Sequence, residues 1–127
     1  MRSSSLVILP SDPLRDYSSL TLSLVAALRT SFQSVRTVCS FHDLRSTVAG
    51  QPVDVAVVDV ESVPLADVAR LSRDFSGLRI VCTHRLPDDQ LWTEALAAGA
   101  ADLCPSSDIT AILTAAHRGA IKHPTAA

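Results

Sequence analysis

Residues 53–59, Val-Asp-Val-Ala-Val-Val-Asp, constrain this chain more than any other stretch. Val55, Ala56, Val57 and Val58 are consecutive and apolar, and the run ends on a carboxylate. β-branched side chains suit an extended, pleated backbone. A strand with one wet face would alternate apolar and polar residues. An unbroken apolar run fits a strand covered on both faces, as in a parallel sheet. Parallel neighbours require crossovers, which are usually helices.

The rest of the chain supplies them. Ser5–Leu9 is a short apolar run that ends at Pro10 and reads as a buried strand. Asp12-Pro13 then signals a helix start, with Asp capping free N–H groups and Pro fitting the first helical position. That helix is expected to run to about Phe32, with Leu20, Leu22, Val25 and Leu28 facing inward. Val35–Cys39 reads as a strand, and 42–49 as a short helix closed by Gly50. After the 53–59 strand come a helix over 64–75 stopped by Gly77, a strand over 78–83 and a helix over 88–98 stopped by Gly99. A weak strand over 100–104 and a helix from Ser107 to about Lys122 follow, with Ile109, Ile112, Leu113 and Ala116 at helical spacing. Five strands alternating with five helices predict one parallel sheet with helices on both faces. One domain is expected over 1–122, with 123–127 the start of a linker or a loose tail.

Composition narrows the classes. With 127 residues the chain makes one domain. Hydrophobic residues at 47% and charged residues at 19% exclude a disordered chain. The apolar runs are too short to cross a bilayer, and the first ten residues do not read as a signal peptide. A net charge of −2, with a single lysine at Lys122, leaves no basic patch for direct nucleic-acid contact. Three widely spaced cysteines signal neither a disulfide framework nor a zinc site and suit a reducing cytoplasm. Cys39 and Cys82 are expected to be buried, inert thiols. The four histidines have no ligand-like spacing. No Gly-rich phosphate loop or nucleophile elbow is present, and the chain is read as a non-enzyme.

In an open sheet of this kind, ligands bind at the carboxyl ends of the strands. The residues there are Pro10, Ser11 and Asp12, then Asp59, Thr83, and Ser106 with Ser107. Asp59 is the pointed feature, because a carboxylate at the edge of an apolar core costs free energy unless it is partnered.

At these positions the chain resembles the receiver domain of bacterial response regulators. Asp-Val-Ala-Val-Val-Asp-Val-Glu-Ser-Val-Pro (54–64) is similar to the receiver strand that ends in the phosphoryl-accepting Asp, with a Pro a few residues on. Gly-Ala-Ala-Asp-Leu-Cys-Pro-Ser-Ser (99–107) is similar to the receiver segment G-A-x-D-Y-x-x-K-P, and Ile-Leu-Pro-Ser-Asp-Pro (8–13) stands where receivers place two acidic residues. The resemblance spans nearly the whole chain. It implies a flavodoxin-like (βα)5 three-layer sandwich with strand order 2-1-3-4-5. It makes Asp59 phosphoacceptor-like and Thr83 switch-like, in a pocket with Ser11, Asp12, Glu61, His84 and Ser106. The partners it implies are a second copy of the domain, an attached DNA-binding effector domain and a histidine kinase.

The departures from the pattern are chemical. Pro10 and Ser11 replace the acidic pair that holds Mg²⁺, leaving Asp12 and Asp59 as the carboxylates a metal could use, and no cofactor is counted on. Ser106 replaces the Lys, and Leu103 the coupling aromatic. Glu61 could supply a metal oxygen or repel a phosphate. The expectation is an atypical receiver, a pseudo-receiver working through dimerisation or partner contacts without ordinary phosphorylation. Two alternatives stand beside it: phosphorylation on Asp59 by a histidine kinase, and a small-ligand sensor using the vacant pocket. A composition rich in Ala, Arg, Ser and Val suits a high-GC bacterium. Trp92 is a candidate interface residue.

Overall fold

The computed structural model describes residues 5–10 and 19–118. Five strands alternate with five helices: β1 (Ser5–Leu9), α1 (Ser19–Arg29), β2 (Ser34–Thr37), α2 (Phe41–Gly50), β3 (Val55–Asp59), α3 (Leu65–Asp74), β4 (Arg79–His84), α4 (Asp89–Ala97), β5 (Asp102–Pro105) and α5 (Ile109–Arg118). All four strand pairings are parallel, in the order β2-β1-β3-β4-β5. This is the three-layer flavodoxin-like architecture expected from the sequence.

β3 sits at the centre, and all five of its residues are buried. The strands divide their side chains between two cores. Leu6 and Ile8 of β1 join Val55 and Val57 on one face, under Leu24 and Leu28 of α1 and Ile112 of α5. Val7 and Leu9 join Ala56 and Val58 on the other, under Leu44 of α2, Val68 and Leu71 of α3 and Ala95 of α4. The period-2 geometry of a strand explains how one unbroken apolar run feeds both layers. Burying each Val, Leu or Ile side chain among them contributes about 1.5–3 kcal/mol.

Helix starts follow side-chain chemistry. Ser40 Oγ accepts from Asp43 N–H at the start of α2, and Asp88 Oδ1 accepts from Leu91 N–H at the start of α4. Gly99, at φ +109°, ends the turn after α4 as expected. Gly50 and Gly77 do not act that way. Gly50 is the last residue of α2, and Gln51 leaves in an extended conformation. α3 is closed by Phe75, whose N–H bonds to the Leu71 carbonyl.

Two expectations are corrected. Leu22 is 55% exposed, because the inward face of α1 is set by Leu24 and Leu28. Leu22 lies two residues from Leu24, about 200° around the helix, and so points away from the core. Cys39 is exposed, because β2 ends at Thr37 and Cys39 falls in the loop before α2. His117 is exposed, and its ring stacks on Phe32 with centroids 5.1 Å apart. Ser11 and Asp12, the helix start at Asp12-Pro13, and the proposed tail at 123–127 lie outside the described residues, as does the side chain of Leu20. No described helix is long and apolar enough to cross a membrane.

Candidate functional site

The register of the sheet builds the site. β3 and β4 pair with a constant offset of 24, from Val55 with Arg79 to Asp59 with Thr83. Strand alternation then sends the side chains of Asp59 and Thr83 to the same side, at the carboxyl edge of the central pair. Asp59 is 2% exposed and Thr83 5%; they are the buried polar residues of the described chain.

Both Asp59 oxygens are occupied. Oδ1 accepts the Glu61 backbone N–H at 2.8 Å, and Oδ2 accepts the Thr83 hydroxyl at 3.1 Å. The Asp59 carbonyl also accepts from the Ser62 and Val63 N–H groups, at 3.2 and 3.1 Å, which tightens the turn after β3. Burial pushes the Asp59 carboxyl above its usual range; the bonds from Glu61 and Thr83 pull the other way without cancelling it.

Glu61 stands one step beyond. Its Oε2 accepts the Arg85 backbone N–H at 2.7 Å, and the Arg85 Nε lies 3.0 and 3.2 Å from the two carboxylate oxygens. The bond from the Arg85 N–H is the first cause that holds this carboxyl below its usual range. His84 Nδ1 accepts the Leu86 N–H at 3.0 Å, and lies 3.8 Å from Glu61 Oε2. Ser106 joins through its backbone: its N–H bonds to the His84 carbonyl at 3.0 Å.

The structure therefore brings Asp59, Thr83, Glu61, His84 and Ser106 to one edge. Ser11 and Asp12 were expected in the same pocket and lie outside the described residues. Arg85 was not foreseen. The ladder ends at Asp59–Thr83, and the Glu61 side chain reaches Arg85 in the loops beyond it. Cys82 and Cys104 are buried beneath the edge, and burial pushes both thiols up to about 12, so neither is a nucleophile at neutral pH.

A Mg²⁺ ion needs oxygen ligands that are free to turn toward it. Here the Asp59 and Glu61 oxygens are already engaged by internal donors, and no group of three metal-ligating side chains occurs among the described residues. The described residues alone do not make up a Mg²⁺ ligand set.

No protein-family model matches the chain, and no curated protein matches it in sequence. Solved structures do. An atypical orphan response regulator, described as using a phosphorylation-independent regulatory mechanism, superposes with a TM-score of 0.73 at 17% identity over 91% of this chain and 96% of that one. The signal receiver domain of the response regulator NarL from Mycobacterium tuberculosis gives 0.71 at 22% identity over 91% and 94%. HP1043, an orphan response regulator of Helicobacter pylori, gives 0.69 at 19% identity over 89% and 99%. At such identities the likeness establishes the receiver fold.

Proposed function

We propose that this chain is the receiver domain of a response regulator and that it signals through protein contacts, without ordinary phosphorylation. One arrangement carries the reading. A buried carboxylate ends the central strand and accepts a hydrogen bond from a hydroxyl on the neighbouring strand, in a receiver fold. Phosphoryl transfer to a carboxylate depends on cations that offset the incoming charge. Ser106, a neutral residue, stands where receivers place a Lys, and Pro10 and Ser11 stand where receivers place the acidic pair that holds a metal. Each missing charged contact costs orders of magnitude in rate.

Two exposed apolar side chains support partner contacts. Leu86 is 81% exposed in the loop before α4, and Trp92 is 41% exposed on α4. The Trp92 indole N–H donates to Asp102 Oδ1 on β5 at 3.1 Å, which anchors the ring while leaving part of it to solvent. The finer reading is a cytoplasmic transcriptional regulator of the FruA-like kind. In it this domain dimerises or otherwise controls an attached DNA-binding effector.

Amide NMR during titration with Mg²⁺ and then beryllofluoride, alongside Asp59→Ala, tests the proposal. The expected spectrum is unchanged around Asp59, Thr83 and Ser106. Shifts clustered there and lost in Asp59→Ala would overturn it. They would support the second reading, favoured by the Asp59–Thr83 bond, of a phosphoacceptor served by a histidine kinase. A small-ligand sensor is the third reading, and thermal-shift hits that vanish in Asp59→Ala would favour it.

A further inference from the structure

We propose that Glu61 is a resident anion that fixes the loop between β4 and α4, so that this loop is set without any group being added to Asp59. For what the loop presents to a partner, the proposal rests on the receiver reading above. For the role of Glu61 it rests on geometry alone.

Glu61 works in two directions. Its backbone N–H holds Asp59 Oδ1, while its carboxylate reaches across to the strand-end of β4. The side chain of Glu61 is 21% exposed and that of Arg85 is 78% exposed. The two halves of the contact are therefore unequal. The guanidinium half is a solvent-facing ion pair, a type that contributes little. The half made by the Arg85 N–H, at 2.7 Å, is a short charge-assisted bond on a better shielded carboxylate. The next amide, Leu86 N–H, is held by His84 Nδ1. Two successive amides of the loop are thus anchored, and the second belongs to Leu86, the most exposed large apolar residue of the described chain. An apolar side chain carried on an anchored backbone is pre-organised: a partner docking on it need not order the loop first.

The inequality gives a sharp test, read by amide hydrogen exchange on the full chain. Glu61→Ala removes the acceptor of the Arg85 N–H and should speed exchange there by about tenfold or more, the fold-change that losing a charge-assisted bond produces, with a smaller rise at Leu86, whose N–H keeps His84 Nδ1. Glu61→Gln keeps a neutral acceptor and should fall between. Arg85→Ala keeps the backbone N–H and should change exchange by less than about threefold. Unchanged amides at Val57 and Val81 would show that each variant is folded. Should Glu61→Ala not fold, Glu61→Gln against Arg85→Ala decides.

Protection at Arg85 that survives in Glu61→Ala overturns the proposal, as does an Arg85→Ala effect as large as that of Glu61→Ala. Either failure leaves the receiver reading standing, because that reading is tested separately by the beryllofluoride titration. An adduct in that titration with loop exchange following the expected order would overturn only the phosphorylation-independent reading.

Discussion

β3 is bracketed by two aspartates with different fates. Asp54 precedes the strand and is exposed; its Oδ2 accepts the Ser5 N–H at 3.0 Å, and its carbonyl accepts the Arg79 N–H at 3.0 Å. Asp59 closes the strand five residues later and is buried. At the Asp54 end, polar groups tie the sheet to its surroundings with water at hand; Arg79, for example, donates to the Ala116 carbonyl at 2.8 Å. At the Asp59 end a carboxylate is held away from water, with its charge disfavoured by burial. Perturbed carboxylates of this kind gather at functional sites, and the contrast is the reason the proposed function is built on the Asp59 end.

The comparison predicts where substitutions hurt. The largest effect should fall at the end remote from the site. A Cβ on Gly99 would be strained at φ +109° and would overlap the side chain of Ser72. Gly99→Ala should lower stability by about 3 kcal/mol, from the left-handed backbone and the overlap together. Chemical denaturation would measure it, while the amide shifts of Asp59 and Thr83 should stay in place. A disturbed site would break the separation of the two ends.

Next comes Thr83→Val, which keeps the β-branched shape and deletes the donor to Asp59 Oδ2. The expected loss is about 2 kcal/mol, the cost of removing a partner from a buried charged group. A loss below a few tenths would mean that water or another donor replaces the hydroxyl.

Asp59→Asn should act in the opposite direction. It removes the ionisable group that burial disfavours, and its amide still has Glu61 N–H and Thr83 Oγ1 as partners. A gain of about 1 kcal/mol at pH 7 is expected, the size typical of relieving a functional site. The pH dependence fixes the sign. Because the folded-state pKa of Asp59 is raised, the folded form binds more protons than the unfolded chain between 3.8 and that raised value. Stability therefore falls as pH rises through this window, and Asp59→Asn should gain less below it. The lowered pKa of Glu61 runs the other way, with its contribution lost as pH falls below 4.5. Comparing Asp59→Asn with wild type at each pH removes that background.

How much of this was legible depended on range. The apolar run at 55–58 dictated a central strand, and the rule that sites gather at the carboxyl ends of parallel strands grouped Asp59 with Thr83. What the sequence hid was side-chain detail. Leu22 looked like core because it is apolar on an amphipathic helix, but the phase set by Leu24 and Leu28 excludes it. Cys39 looked like strand, yet β2 gives out at Thr37. The Glu61–Arg85 contact was invisible because a contact across 24 residues needs the register, and register comes from the assembled sheet.

The smallest effect should come from Asp54→Asn. Its side chain accepts one exposed N–H, and an amide oxygen can accept the same bond. The change in stability should stay within about 0.5 kcal/mol, as for surface substitutions generally. Set beside Asp59→Asn, it makes a matched pair: the same atom swap at two ends of one strand. If both shift stability equally, burial is not what separates the two aspartates, and the argument that the Asp59 end carries a functional charge loses its footing. If only Asp59→Asn responds, and responds more strongly above the usual carboxylate range, the free energy held at that edge belongs to the buried charge and not to the strand that carries it.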